Sequence, residues 1–225
     1  KIENYAVITV EGSNAKGIYS TLNTEVYNYG TINVSGNGAV GITAPSGKIK
    51  NYGTIYFTNG AKMEALDNAY EIPELINAGI IKVNGNFDNT GMNISLQPDL
   101  STLQESTIAG IDFIMNSGSI SANTLTITDT VKILPDFSQG TNAKVYKLED
   151  AFVSSNIITP NGKLPVVSSS LTWEATPKIN SSGNVDIYMS KIAYKDFAEG
   201  LWFEDFASAL DNSYSGAAGE AGTLF

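Results

Sequence analysis

The phrase Asn28-Tyr29-Gly30-Thr31-Ile32-Asn33-Val34 returns 23 residues later as Asn51-Tyr52-Gly53-Thr54-Ile55-Tyr56-Phe57. An earlier copy, Asn4-Tyr5-Ala6-Val7-Ile8-Thr9-Val10, lies 24 residues upstream, and a looser one, Asn77-Ala78-Gly79-Ile80-Ile81-Lys82-Val83, follows 26 residues downstream. A second half recurs as well, because Ile8 to Ile18 lies over Ile32 to Ile42 at a constant offset of 24 without a gap. Each unit holds short alternating runs of Ile, Val, Thr and Tyr broken by Gly and Asn, the pattern of strands and not of helices. One such unit cannot bury its own apolar face, so neighbouring units must stack.

The repeat therefore predicts an all-β fold built on a parallel β-solenoid, one turn per unit, with equivalent residues about 4.8 Å apart. Ile8, Ile32, Ile55 and Ile81 form an internal ladder in this reading. The Asn-Tyr-Gly phrase marks a corner, where Gly30, Gly53 and Gly79 supply a positive φ and the stacked asparagines hydrogen-bond along the axis. A slip of one residue would turn every inward isoleucine outward. The alternative, a β-sandwich, does not require matching residues at constant offsets.

The repeats are assigned to residues 1–140, with loops at 67–77, which contains Pro73, and at 97–110. From about residue 141 the pattern changes. Leu171/Trp173/Ala175 and Val185/Ile187/Met189 alternate on either side of a Pro-to-Gly-Asn segment, which is a β-hairpin signal. A stack of strands needs its open edge covered, so residues 141–193 read as a cap in which Trp173, Leu171 and Ile187 do the covering. In 194–225, Tyr194, Phe197, Leu201, Trp202, Phe206 and Leu210 recur at three and four residues. They predict a short amphipathic helix, interrupted near Gly200 and packed on the cap, followed by a linker.

Composition narrows the chemistry. The chain has 225 residues and a net charge of −10, so a phosphate backbone or an anionic lipid surface would be repelled. Cysteine and histidine are absent, and the 13 basic residues are all lysines. This removes the thiolate, the usual neutral-pH base and the bidentate anion clamp. Asp67, Asp88, Asp99, Asp112, Asp129 and Asp136 are scattered singly, which suits loop and corner roles and not acid–base pairs. "SGNGAVG" has the glycines of a calcium-binding coil but lacks its aspartate. The expectation is that the chain is not an enzyme, with no catalytic residues, no cofactor and no metal site. Tyr5, Tyr29 and Tyr52 are the candidate ligand contacts, as an aromatic stripe on which a sugar ring could stack.

No run approaches the roughly 20 apolar residues of a membrane span, and both ends read as cut from a longer polypeptide. The phrases "NYGTINVSGNGAVGI" and "NAGIIKVNGN", then "NAKVYKLEDAF", "SLTWEATPKI", "NVDIYMSKIAYKDFAEG" and "FASALDNSY", resemble the C-terminal part of type V autotransporter passengers, above all the very large fusobacterial ones. That resemblance implies a right-handed parallel β-helix displayed on a bacterial surface. Residues 141–193 would be an autochaperone-like region, and 194–225 the approach to an outer-membrane β-barrel that the sequence lacks.

It further implies the C-terminal stem and folding template of an adhesin whose partners are a host-cell glycan or protein, or other bacteria, with its own barrel in cis and no nucleic acid. The competing reading is that the segment itself binds a carbohydrate or protein through its two loops or its tyrosines; a polysaccharide-degrading β-helix enzyme ranks below both, since the chain has no arginine and its aspartates are scattered singly.

Overall fold

The computed structural model describes residues 1–20, 24–44, 47–58, 60–65, 72–96, 113–115, 119–128, 131–135, 144–168 and 170–216. They form an all-β structure with two short helices near its C-terminus. The first repeat contributes β1 (Ile2–Asn4), β2 (Val7–Glu11) and β3 (Lys16–Tyr19). The second gives β4 (Val26–Asn28), β5 (Thr31–Ser35) and β6 (Val40–Ala44). The third gives β7 (Lys48–Asn51), β8 (Thr54–Thr58) and β9 (Lys62–Ala65). Next come β10 (Glu74–Asn77), β11 (Ile80–Asn84), β12 (Asn86–Leu96), β13 (Phe113–Met115), β14 (Ser119–Ile127) and β15 (Val131–Pro135). The last strands are β16 (Val145–Ile158), β17 (Val166–Ser168), β18 (Trp173–Ile179) and β19 (Val185–Lys191), before α1 (Tyr194–Ala198) and α2 (Glu204–Gly216).

Strands from equivalent positions of successive repeats pair in parallel, as identical patterns require. The longest sheet runs β1-β4-β7-β10-β12-β14-β16-β19-β18, and others run β11-β8-β5-β2, β3-β6-β9 and β13-β15-β17. Ile8 lies opposite Ile32, Ile32 opposite Ile55, and Ile55 opposite Ile81. Inward positions of β5 and β8 alternate with half-exposed ones, so each strand offers one face to a core that extends from Val10 to Met189. Phe57 and Phe87 stack inside it with ring centroids 3.8 Å apart.

The Asn corner is built from side-chain amides. Asn4 Nδ2 donates to Asn28 Oδ1 at 2.8 Å, Asn28 Nδ2 to Asn51 Oδ1 at 2.7 Å, and Asn51 Nδ2 to Asn77 Oδ1 at 2.6 Å. Each amide also donates to a carbonyl two residues on, so these buried polar groups are satisfied within the stack.

The glycines after the asparagines work differently from expectation. Gly30, Gly53 and Gly79 do not have a positive φ. They are glycines because a Cβ at Gly53 would run into the carbonyl of Gly30, and one at Gly30 into that of Ala6. The left-handed backbone sits at the other corner, for example at Gly36 with φ 110°.

Two further expectations are corrected here. The segment 67–77 is not a loop to its end, because Glu74–Asn77 forms β10 in register with Lys48–Asn51; its alternating burial places Leu75 and Asn77 inward. Residues 67–71 and the whole of 97–110 lie outside the described residues. Leu171 is not part of the cap's inner face: it is 77% exposed, because the hairpin strand begins only at Trp173.

The two reasons for glycine separate in a mutation pair. Gly53→Ala would press a Cβ into the backbone of Tyr29 and Gly30 in the preceding repeat and is expected to destabilise by about 3 kcal/mol or more, the upper end of overpacking. Gly12→Ala meets open space and carries only the strain of φ 98°, about 1–2 kcal/mol. Urea unfolding of the two variants measures the difference.

Candidate functional site

Because Tyr5, Tyr29 and Tyr52 each follow a stacked asparagine, the repeat forces their rings into one column. Tyr5 and Tyr29 are 4.9 Å apart between centroids with planes inclined by 10°, and Tyr29 and Tyr52 are 5.2 Å apart at 8°. These distances are close to the strand spacing, so the side chains simply continue the backbone geometry outward. Tyr27, which sequence reasoning missed although it lies two residues before Tyr29 on the same alternation, joins at 6.2 Å from Tyr29.

Lys1 and Lys50 hold their ammonium groups 4.3 and 5.0 Å from the Tyr27 ring centre. The Tyr27 hydroxyl donates to Glu25 Oε2 at 2.7 Å, and this hydrogen bond lowers the Glu25 carboxyl pKa.

The three sequence-predicted tyrosines are thus brought together, but as a self-stacked column. Both faces of Tyr29 are covered by its neighbours, and 37% of the residue is exposed; Tyr5, at the end, is 71% exposed. The column offers solvent mainly ring edges and hydroxyls. A sugar that stacks on an open ring face would find room at Tyr5 and not at Tyr29.

At the opposite end, the mode of pairing changes. β16 is parallel to β14 on one side and antiparallel to β19 on the other, and β18 closes the hairpin. Trp173 (2% exposed) and Ile187 are buried in the core cluster. The outermost strand, β18, carries Pro177, Glu174 and Lys178, which blunt the edge against further pairing.

A polar cluster missed from sequence fixes the junction. Between Leu148 and Phe152 the β16–β19 register shifts, and Asp150 adopts φ 50°. Its N–H donates to Asp186 Oδ1 at 3.0 Å, while Lys147 Nζ lies 2.8 Å from Asp186 Oδ2. Asn180 Nδ2 donates to both Asp150 and Asp186. The Lys147 hydrogen bond, followed by the Asp150 amide, lowers the Asp186 carboxyl to about 2 against the opposing effect of burial. Lys147 is raised correspondingly above its ordinary value. Nothing in the spacing of Lys147, Asp150 and Asp186 signals this, because a register shift brings them together.

The helices depart from their expected packing. Gly200, with φ 72°, interrupts them as predicted. However, Trp202 is 94% exposed, Phe197 and Phe206 are also exposed, and the buried positions are Ala198 and Ala207. Small alanines allow the close approach, and the aromatic residues face solvent.

Of the six candidate aspartates only Asp88 is among the described residues, and its Oδ1 accepts the Thr90 N–H within β12. Among the described residues no group of three or more acidic side chains could hold a metal ion, and no helix is long and apolar enough to cross a membrane.

Comparison with known proteins adds two findings. Residues 107–193 match the family described as the BigA beta sandwich domain; in these residues the structure places parallel β13–β15–β17 and β14–β16 pairs beside the antiparallel hairpin. The chain is also 30% identical over 258 aligned positions to a Salmonella typhimurium protein described as "Putative surface-exposed virulence protein BigA". The alignment takes in 94% of this chain and 13% of that protein's length. No solved structure matches the chain significantly.

The polar cluster gives a pH prediction. Asp186 titrates lower folded than unfolded, near 2 against an ordinary value of about 3.9. Its stabilisation is therefore complete above about pH 5 and is lost as the pH falls toward 2. Urea midpoints measured from pH 6 to 2 should fall steeply in the wild type and less steeply in Asp186→Asn.

Proposed function

We propose that this chain is a stem segment of a surface-displayed adhesin, in which residues 1–140 are coils of a right-handed parallel β-helix and residues 141–193 are the template on which those coils fold. The observation that carries this reading is the single sheet from β1 to β18, parallel throughout the repeats and closed at one end by an antiparallel hairpin. Such an end is asymmetric. The hairpin side is blunted, and on the other side β1 is the edge strand of the same sheet. Strand addition can then proceed from the cap toward the N-terminus, each coil finding its register on the one already formed.

The surface location and the link to virulence are supported by the description of the Salmonella relative. The autotransporter route, with 194–225 leading to a barrel in the outer membrane, is supported by the phrases from Asn142 to Tyr214. The exposed Trp202, Phe206 and Leu201 beyond the cap fit an element that meets another surface there. The chain is proposed to have no enzymatic activity, and recognition of host-cell glycans or proteins, or of other bacteria, falls mainly to other parts of the protein.

The test is display of the full-length protein carrying Trp173→Ala, beside Trp202→Ala as the exposed control. Removing the buried Trp173 should cost about 3–5 kcal/mol and leave the exported repeats protease-sensitive, whereas Trp202→Ala should keep wild-type resistance. Wild-type resistance in Trp173→Ala would contradict the template role.

A further inference from the structure

Where the hairpin meets the helices, Lys144, Lys191, Lys195, Ser208, Asp211 and Asn212 line an open cleft of about 380 Å³. This is within the range of small-ligand sites, about 300–1,000 Å³. The residues come from four places: Lys144 precedes β16, Lys191 ends β19, Lys195 lies in α1, and the other three lie in α2. The cleft is tied together by backbone and side-chain bonds. Lys191 N–H donates to the Lys144 carbonyl at 2.8 Å, and the two Asp211 oxygens accept the N–H groups of Tyr194 and Lys195 at 2.8 and 2.9 Å.

Its electrostatics are opposite to those of the chain as a whole. Three lysines and one aspartate line it, on a protein of net charge −10. Lys191 is held by a hydrogen bond to the Ile192 carbonyl and by the Tyr194 ring, 3.5 Å from its centre. Burial lowers its pKa, and Asp211 works against that. Among the described residues no carboxylate pairs with the ammonium of Lys144 or Lys195, and the Ser208 hydroxyl and Asn212 amide have no hydrogen-bond partner.

We propose that this cleft binds an acidic sugar, whose carboxylate or sulfate is shared by the lysines and whose hydroxyls meet Ser208 and Asn212. A long polyanion is repelled by the net charge of the chain. A single anionic group responds to charges within about 8–10 Å and sees the local positive excess. Neutral hydrogen-bonding groups beside the cations, in a space far larger than an inorganic anion fills, select a hydroxylated ligand over phosphate. The inference is independent of the stem proposal, because a binding cleft beside the cap neither requires nor excludes a folding template.

The test is a titration of the 225-residue chain with sodium glucuronate, followed by amide NMR, with glucose and inorganic phosphate as comparators. Saturable shifts confined to the cleft residues are expected, with binding at least about tenfold weaker for glucose and for phosphate. The Lys144→Gln/Lys195→Gln variant should bind at least about tenfold more weakly with the remaining spectrum unchanged, since each charged hydrogen bond lost carries at least that factor. Ser208→Ala should weaken glucuronate and leave phosphate unaffected. Absence of saturable shifts, equal binding of glucose or phosphate, or an undiminished affinity in the lysine variant would each overturn the proposal.

Discussion

A parallel stack places each side chain over its counterpart, about 4.8 Å away, and the rest of this structure depends on which side chains tolerate that. Isoleucine and valine do, by packing on themselves. Asparagine does so better than other polar residues, because its amide donates in one direction and accepts in the other. The ladder from Asn4 to Asn77 uses this polarity at every step, with the donor always in the earlier repeat. Buried amides that lose a partner when their copies move out of line penalise every other register, so the ladder adds specificity to the stability supplied by the apolar core. The glycines beside it let the corners approach to backbone contact.

Such a stack has no intrinsic end. This chain ends it by reversing strand direction: β16 is the last parallel member, and β19 and β18 continue the same sheet antiparallel. The reversal is accommodated by a register shift at Asp150 and locked by the Asp186–Lys147–Asn180 cluster. Trp173 and Ile187 then extend the core of the repeats into the hairpin. The proposed folding template is thus an ordinary β-hairpin whose inner face continues the repeat core.

What the sequence disclosed follows from the same physics. Constant offsets made the isoleucine and asparagine ladders legible, since only stacking gives identical residues identical surroundings. The glycines were visible but their reason was not, because a positive φ and a forbidden Cβ leave the same letter. Leu171 was misassigned by extending the alternation one step beyond the start of β18. The helices' aromatic spacing was legible, yet the buried side proved to be the alanines Ala198 and Ala207, whose small size is a packing signal only once the partner surface is known. The tyrosine column was foreseen, although its consequence, ring faces turned on one another, needed the measured spacing. The Asp150 shift and the lysine-lined cleft join residues distant in sequence and left no local mark.

The central claim is that in-register stacking, fixed at the Asn corner, holds the repeats together. Native-state hydrogen exchange of the chain carrying Asn28→Leu tests it most directly. Removing one rung leaves Asn51 Oδ1 without its donor and Asn4 Nδ2 without its acceptor, a loss of about 1–3 kcal/mol for each group. The account predicts faster exchange in β4 and β7 and in the repeats that pair with them, with the β18–β19 hairpin still protected. Unchanged protection across the repeats would contradict it.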